Sequence, residues 1–159
     1  MRPRLYLDVD GVLSPFVIPD SGTDTWTDWD RDAFAPTSRA MADALAALPV
    51  DIHWLTTWRD EANTHLAPRF GWPARPVLDR DREIHWWKLD ALLDDHPEGV
   101  PFVWCDDELD ERRALLDPHF TRRLAALAAP YLLVCPARNV GLTPADLERI
   151  HAFVTNPTG

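Results

Sequence analysis

Short apolar runs alternate along this chain with longer stretches in which apolar residues recur at helical spacing. Five runs predict β-strands, at residues 5–7, 50–55, 76–78, 100–105 and 131–134, and the third of them is the weakest. Nearly continuous apolar strands that alternate with helices are typical of a parallel sheet covered by helices on both faces. The pattern therefore predicts an α/β fold, a three-layer Rossmann-like domain of about five strands that occupies residues 1–159.

The stretches between the strands carry the helical signals. Helices are expected at about residues 38–48, 60–67, 84–95, 108–128 and 144–154, with a break near Pro118 in the fourth. Thr37 or Ser38 is the expected cap of the first helix, because a side-chain oxygen there can accept from a free N–H group of the first turn. Thr143 followed by Pro144 marks the start of the last helix, since proline suits the first turn.

Residues 12–35 lack a clean period and are rich in proline, aspartate and tryptophan, so we expect an excursion such as a small hairpin flap. The segment carries five aspartates against a single arginine, which disfavours highly anionic substrates. Trp26 and Trp29 within it could stack on a base or sugar of a substrate. A solvated acidic loop with two packing tryptophans explains the same residues equally well.

The formal net charge of −10 narrows the set of partners. Binding a nucleic-acid duplex needs clustered Lys and Arg, so the charge argues against a duplex-binding module. The net charge does not exclude a small phosphorylated substrate, because a metal ion can invert the local field.

No apolar run is long enough to span a bilayer, and the first residues do not resemble a signal peptide. Cys105 and Cys135 each end an apolar run and are expected to be reduced core thiols, which favours a cytoplasmic protein.

Polar side chains follow three of the predicted strands at the point where each strand ends. Asp8 and Asp10 follow the first strand, Thr56 follows the second, and the pair at 106–107 follows the fourth. In open parallel sheets, ligands bind outside the carboxyl ends of the strands. We therefore expect these groups to meet at one edge of the sheet, which a requirement for core packing does not predict.

The segment Asp8-Val9-Asp10-Gly11 is the strongest local signal for chemistry. The carboxylate of Asp8 is a competent nucleophile toward phosphorus and can form an aspartyl-phosphate. Asp10 is placed to protonate the leaving oxygen and later to activate water. Gly11 permits a tight turn and a close approach of the backbone to the substrate. Because the carboxylate repels a phosphate dianion, a hard cation such as Mg²⁺ must screen its charge.

Three further positions fit the same chemistry. Thr56 offers a hydroxyl donor to a phosphoryl oxygen, and its neighbour Thr57 is an alternative. Lys88 is the only lysine in the chain, and its charge could neutralise both the nucleophile and the transferred phosphoryl group. Asp106 and Asp107 are adjacent carboxylates that would repel each other at a buried strand end without a cation, so a metal site is the better explanation. Which of the two binds the metal directly stays open.

Taken in order, four motifs resemble those of the haloacid dehalogenase (HAD) superfamily: Asp8-x-Asp10-Gly11, Thr56, Lys88 and Asp106-Asp107. The likeness covers nearly the whole chain, and each motif falls at the expected place on the strand–helix pattern. In finer detail the chain is similar to the HAD domains found in Swiss-army-knife RNA repair proteins. The segments that carry this second likeness are 7–13, 54–58 with 61–63, 87–89, 104–108 and 141–143.

The resemblance implies a Mg²⁺-dependent phosphatase that acts through an aspartyl-phosphate. Asp8 would be the nucleophile and a metal ligand, and Asp10 would be the acid–base residue whose backbone carbonyl also reaches the metal. Thr56 and Lys88 would hold the phosphoryl group. The pair at 106–107 would complete the magnesium site.

The resemblance departs from many HAD enzymes in one respect. Those enzymes often carry a large cap over the site, whereas this chain offers only the flap at about 12–35 and is therefore similar to minimally capped members. An open site accepts a bulky substrate, such as a nucleotide, a nucleic-acid end or a phosphoprotein. The net charge of the chain weakens the case for RNA.

Three other functions compete with a phosphatase. A response-regulator receiver uses similar residues, but its acidic pair precedes its Thr and Lys, whereas here residues 106–107 follow both. A non-catalytic binding protein on a HAD scaffold has no need to keep the acid, base, hydroxyl and lysine together. Phosphoryl transfer to an acceptor other than water uses the same residues as hydrolysis, so the sequence does not separate the two.

Overall fold

The computed structural model describes residues 1–20, 24–31, 33–81, 86–110 and 116–158. Within them, four strands form one parallel sheet: β1 Arg4–Leu7, β2 Asp51–Trp54, β3 Phe102–Cys105 and β4 Tyr131–Val134. The strand order is β2-β1-β3-β4, and Leu7 lies opposite Trp54 on one side and Cys105 on the other. The expected α/β fold with a parallel sheet is confirmed.

The order of the strands creates a switch point beside β1. From β1 the chain passes to β2 on one side and then returns to place β3 on the other side. The connections on the two sides diverge at the carboxyl ends of β1 and β3, and such a divergence leaves a crevice in which ligands bind. Asp8 directly follows β1, and Asp106 directly follows β3.

The helical segments in the described residues are α1 Arg39–Ala46, a π-helical segment Ala62–Leu66, α2 Ala67–Phe70, α3 Trp87–Asp95, α4 Phe120–Ala125 and α5 Pro144–Thr155. Ser38, one of the two expected caps, begins α1 because its hydroxyl accepts from the Met41 N–H at 3.1 Å. Thr143 begins α5 in a reciprocal capping box with Asp146.

Two apolar clusters hold the helices against the sheet. One contains Leu5 and Leu7 and includes buried residues of α1, α2 and α5. The other contains Tyr6 and includes buried residues of α3 and α4. Because successive side chains of a strand point to opposite sides, the two clusters lie on opposite faces of the sheet.

The expected strand at 76–78 is reduced to a single bridge between Val77 and Trp54. The Trp54 N–H donates to the Pro76 carbonyl at 2.8 Å, and the Leu78 N–H donates to the Trp54 carbonyl at 2.9 Å. Proline offers no N–H to a further strand, which suits this segment to the edge of the sheet. The expectation of about five strands is therefore not met in the described part of the chain, where four occur.

Several helix boundaries also differ from expectation. The helix expected at 60–67 continues to Phe70, because Pro68 falls in the first turn of α2, where its missing N–H costs nothing. Of the stretch expected to be helical at 108–128, the structure describes a helix only at Phe120–Ala125. Residues 111–115 of that stretch, and residues 84–85 at the start of the expected third helix, lie outside the described residues.

The excursion at 12–35 contains no hairpin strands in its described residues, 12–20, 24–31 and 33–35. The chain instead makes a tight turn in which the N–H groups of Val12, Leu13 and Ser14 all donate to the Val9 carbonyl at 2.9 to 3.1 Å. The bridge between Trp29 and Ser38 then ties the end of the excursion to the start of α1.

Both cysteines are free, but only one of them lies in the core. Cys105 is buried as the last residue of β3, whereas Cys135 is exposed because it follows β4 and has left the sheet. The expectation of a second core thiol was therefore wrong. None of the helices in the described parts of the chain combines the length and apolar composition that crossing a membrane requires.

Candidate active site

Three carboxylates gather at the switch point of the sheet. Asp8, Asp106 and Asp107 are all buried, and each offers an oxygen within 4.8 Å of the others. Ladder bonds continue past the strand ends and hold two of these residues, since the Asp8 N–H donates to the Cys105 carbonyl at 3.1 Å and the Asp106 N–H to the Val134 carbonyl at 3.0 Å. The three side chains together could hold a metal ion.

The only lysine of the chain lies between two of the carboxylates. Lys88 is the second residue of α3, and its Nζ lies 3.0 Å from Asp8 Oδ2 and 2.5 Å from Asp106 Oδ2. Burial opposes the charge on Lys88, but the carboxylates of Asp8 and Asp106 outweigh that effect and raise the pKa of the ammonium. The lysine therefore stays charged and neutralises part of the cluster.

Thr56 completes the contacts to the first carboxylate. Its side chain is fully buried, and its hydroxyl makes a hydrogen bond to Asp8. The Val9 N–H donates to Asp8 Oδ1 at 2.8 Å, and the Trp58 N–H donates to Thr56 Oγ1 at 3.2 Å. Asp8 is thus oriented by a lysine, a hydroxyl and a backbone amide, so its carboxylate has one defined position.

Burial makes the ionised form of the cluster costly. Burial and then the charge of Asp8 raise the pKa of Asp106 to about 7 and the pKa of Asp107 to about 6. Burial also raises the pKa of Asp8, against the opposing charge and hydrogen bond of Lys88. Burial is the first cause of each raised pKa, and repulsion from Asp8 adds to it for Asp106 and Asp107, so the ionised cluster is costly without a cation beside it.

The composition of the cluster fits a hard divalent cation. Three carboxylates face the Lys88 ammonium and the Arg138 guanidinium, which lies 3.6 Å from Asp107, so ionisation of all three still leaves an excess of negative charge that a cation would neutralise. The donor atoms are oxygens, without a histidine or thiol among them, which suits Mg²⁺ better than a softer metal. The three carboxylates could therefore hold a metal ion, and their oxygens suit the class of hard cations.

Asp10 and Gly11 form the turn that lies over the cluster. Asp10 is exposed, and its Oδ2 accepts from the indole N–H of Trp58 at 3.2 Å. Gly11 has a φ of +75°, and a Cβ at this position would lie 2.7 Å from Cγ of Asp107. The turn needs glycine both for its backbone conformation and for the close approach of Asp107.

Replacing Gly11 with alanine is expected to disturb the carboxylate cluster, and Gly99 provides a matched control. Both glycines have a φ of +75°, but a Cβ on Gly99 would meet nothing within 4 Å. Gly99→Ala should lower the free energy of unfolding by about 1–2 kcal/mol, the cost of the left-handed conformation alone. Gly11→Ala should cost more and should also abolish the rise in Tm on adding MgCl₂, because Asp107 must move. Equal Mg²⁺-induced shifts in the two variants would contradict this explanation.

Other predicted site residues lie outside this cluster. Thr57 is exposed, whereas its neighbour Thr56 makes the contact to Asp8. Trp26 is half-buried and donates its indole N–H to the Leu142 carbonyl at 2.8 Å. Trp29 packs in the same apolar cluster as Leu5 and is only 7% exposed. The structure thus brings together Asp8, Thr56, Lys88 and the pair at 106–107, and places the two tryptophans in packing positions.

Two residues near the site were missed in the sequence. Trp58 binds the carboxylate of Asp10, and Nε of Arg138 lies 3.6 Å from Asp107 Oδ2. Arg138 follows the carboxyl end of β4, so the rule that led to Asp106 applied to it as well. Trp58 lies two residues after Thr56, beyond the end of β2. Its hydrogen bond to Asp10 could not be predicted from the sequence, because it depends on the path of the chain after Thr57.

The chain was also compared with protein-family models, with curated proteins and with solved structures, and none of these comparisons found a match.

Proposed function

We propose that this chain is a Mg²⁺-dependent phosphatase of the HAD type, which hydrolyses phosphomonoesters through an aspartyl-phosphate on Asp8. The proposal includes a three-layer Rossmann-like domain with a minimal cap and a cytoplasmic location. The observation that carries it is the position of Lys88, whose Nζ lies within 3.0 Å of carboxylates that follow two different strands. A buried nucleophile, hydroxyl and lysine beside two further carboxylates are the groups that phosphoryl transfer through an aspartate needs.

The first step transfers the phosphoryl group to the protein. A carboxylate oxygen of Asp8 attacks phosphorus, the bond from phosphorus to the alcohol oxygen breaks, and Asp10 gives its proton to that oxygen. Lys88 and Thr56, which both contact Asp8, are placed to stabilise the charge on the transferred phosphoryl oxygens. The products of this step are the free alcohol and an aspartyl-phosphate.

The second step releases phosphate. Asp10, now ionised, takes a proton from water as the water oxygen attacks phosphorus, and the bond from phosphorus to Asp8 breaks. Inorganic phosphate leaves, Asp8 regains its carboxylate, and Asp10 is protonated for the next cycle. Trp58 holds the Asp10 side chain through its indole N–H and so acts as a positioning residue for both proton transfers.

Asp8, Asp106 and Asp107 are the side chains that would hold Mg²⁺. The ion would neutralise the charge of the nucleophile and of the phosphate, which otherwise repel each other.

Hydrolysis of p-nitrophenyl phosphate by the intact chain tests the proposal. We expect turnover with MgCl₂ and its loss with EDTA, restored by excess Mg²⁺. Equal release of nitrophenol and inorganic phosphate is the result expected for hydrolysis. Nitrophenol in excess over phosphate would favour transfer to another acceptor. Absence of turnover, with Mg²⁺ still raising the Tm, would contradict the proposal and favour a binding protein.

Removal of the metal should also destabilise the fold in a pH-dependent way. A free Mg²⁺ concentration one hundredfold above its Kd stabilises a protein by about 2.7 kcal/mol, so EDTA should lower the Tm clearly at pH 7.5. The effect should shrink at pH 5, because the raised pKa values of Asp106, about 7, and Asp107, about 6, leave both largely protonated there and unable to bind a cation. A Tm that EDTA leaves unchanged at pH 7.5 would count against a metal site.

A further inference from the structure

We propose that the substrate is a phosphomonoester whose alcohol carries a flat aromatic ring, and that this ring binds against Phe34 and Trp58. The inference rests on the proposed function and adds the class of leaving group that the site prefers. It follows from the exposed ring of Phe34, which stacks on half-buried Trp58, and from the hydrogen bond between the Trp58 indole and Asp10, the acid–base residue.

Phe34 is the most unusual apolar side chain near the site. It is 85% exposed, although its ring stacks on Trp58 with centroids 5.5 Å apart and an angle of 22° between the planes. The two rings overlap only in part, and most of the phenyl surface meets solvent. A single exposed ring is common on protein surfaces, but this ring is stacked on an indole that is hydrogen-bonded to Asp10.

The chain directly after Phe34 is anchored by one arginine. Arg69 donates to the Ala35 carbonyl at 3.2 Å and to the Thr37 hydroxyl at 3.1 Å. It also pairs with Asp30 at 3.1 Å. Phe34 is therefore adjacent to a stretch of backbone that Arg69 fixes, and its ring stacks on Trp58.

Trp58 connects this aromatic pair to the chemistry. Its indole N–H donates to Asp10 Oδ2 at 3.2 Å, and its backbone N–H donates to Thr56 Oγ1 at 3.2 Å. Because Asp10 protonates the leaving oxygen in the proposed mechanism, the alcohol must emerge beside the side chain to which Trp58 is bonded. A flat group on that alcohol would then lie within reach of the two stacked rings.

The charge of the surroundings favours recognition through a ring over recognition through further phosphates. The segment that leads to Phe34 contains Asp20, Asp24, Asp28 and Asp30, and the chain as a whole carries a net charge of −10. This charge would repel a substrate with further phosphates.

A second exposed ring, Phe16, has the Arg138 guanidinium 5.7 Å from its centroid. Both exposed rings are therefore linked to carboxylates of the site, Phe34 to Asp10 through Trp58, and Phe16 to Asp107 through Arg138.

Paired substrates test the inference while keeping the leaving oxygen the same. AMP and ribose 5-phosphate share that oxygen and differ by the base, so kcat/KM of the wild-type protein should favour AMP by about tenfold, as stacking of one base predicts. Phe34→Leu keeps an apolar side chain but removes the flat ring, and it should lower the ratio because kcat/KM for AMP falls more than kcat/KM for ribose 5-phosphate. Phe34→Tyr should retain the preference.

A second pair separates a nucleobase from aromatic rings in general. If the ring alone is recognised, 2-phenylethyl phosphate should be preferred to 2-cyclohexylethyl phosphate, and Phe34→Leu should lower that preference as well. Turnover of all four compounds without preference, or a preference that Phe34→Leu leaves intact, would overturn the inference and leave the phosphatase standing. Turnover of p-nitrophenyl phosphate without turnover of any of the four compounds would likewise overturn the inference alone. Lack of turnover of p-nitrophenyl phosphate as well would overturn the phosphatase, and the inference with it.

Discussion

Replacing Asp8 with asparagine is expected to lower kcat for p-nitrophenyl phosphate by at least about a thousandfold, because an amide is a far weaker nucleophile than a carboxylate. The substitution keeps the shape of the side chain, so the fold should survive. In EDTA the Tm should not fall, since the pKa of Asp8 is raised by burial and a neutral group removes charge from a buried cluster. The measurements are nitrophenol release at saturating MgCl₂ and a separate thermal melt in EDTA, where the loss of a metal ligand has no effect.

Asp43→Asn provides a matched control for this substitution. Asp43 is exposed on α1 and makes a surface ion pair with Arg39 at 2.9 Å, and such pairs contribute little to stability. The control variant should therefore have the activity of the wild type. Full activity in Asp8→Asn would rule out a nucleophilic role for Asp8, and the proposed mechanism would have to be abandoned.

Replacing Lys88 with methionine is expected to cause the largest loss of stability among single substitutions at the site. Methionine has a similar length, but it leaves Asp8 and Asp106 buried without their shared ammonium. Removing one partner of a buried ion pair typically costs about 3–5 kcal/mol. Urea denaturation at pH 7.5 in EDTA should show a free energy of unfolding that is lower by about this amount.

The pH dependence of the same variant checks the electrostatic cause. A carboxyl group whose pKa is raised in the folded state binds protons more tightly there than in the unfolded chain, so stability rises as pH falls between the folded and unfolded values. Asp106 has a pKa of about 7 in the folded state, against 3.8 as its ordinary value. The deficit of Lys88→Met should therefore be smaller at pH 5 than at pH 7.5.

Arg149→Met is the matched control for Lys88→Met. Arg149 is exposed on α5, and its guanidinium lies 3.7 Å from Asp146, so its loss should change stability little. A deficit in Lys88→Met that is equal at both pH values would point to lost packing of the lysine stem and not to uncompensated charge.

The convergence of Asp8, Thr56 and the pair at 106–107 could be anticipated from sequence. Each group follows an apolar run, and the carboxyl ends of parallel strands lie at one edge of a sheet. The prediction needed only the identity of the strands and their parallel order, and both are strongly encoded in continuous apolar runs. The strand at 76–78 was less secure because it contains a proline, and it forms a single bridge.

The placement of the aromatic side chains could not be anticipated in the same way. Trp26 and Trp29 were equally consistent with stacking on a substrate and with packing. Trp29 is 7% exposed, while Phe34, a few residues later, is 85% exposed. An irregular segment has no period from which the buried face can be read. Only the path of the chain, with Arg69 holding its end, decides which ring faces solvent.

The sequence by itself determined the α/β class, the parallel sheet and the acidic edge, because these follow from local periodicity and from the chemistry of adjacent residues. Tertiary structure alone decided that Lys88 lies between Asp8 and Asp106, that Trp58 bonds Asp10, and that Arg138 approaches Asp107. The residues in these contacts are far apart in the sequence but lie within a few ångströms of each other in space. The contacts depend on how a helix and a loop pack against the sheet, and no local pattern in the sequence encodes a distance of that kind.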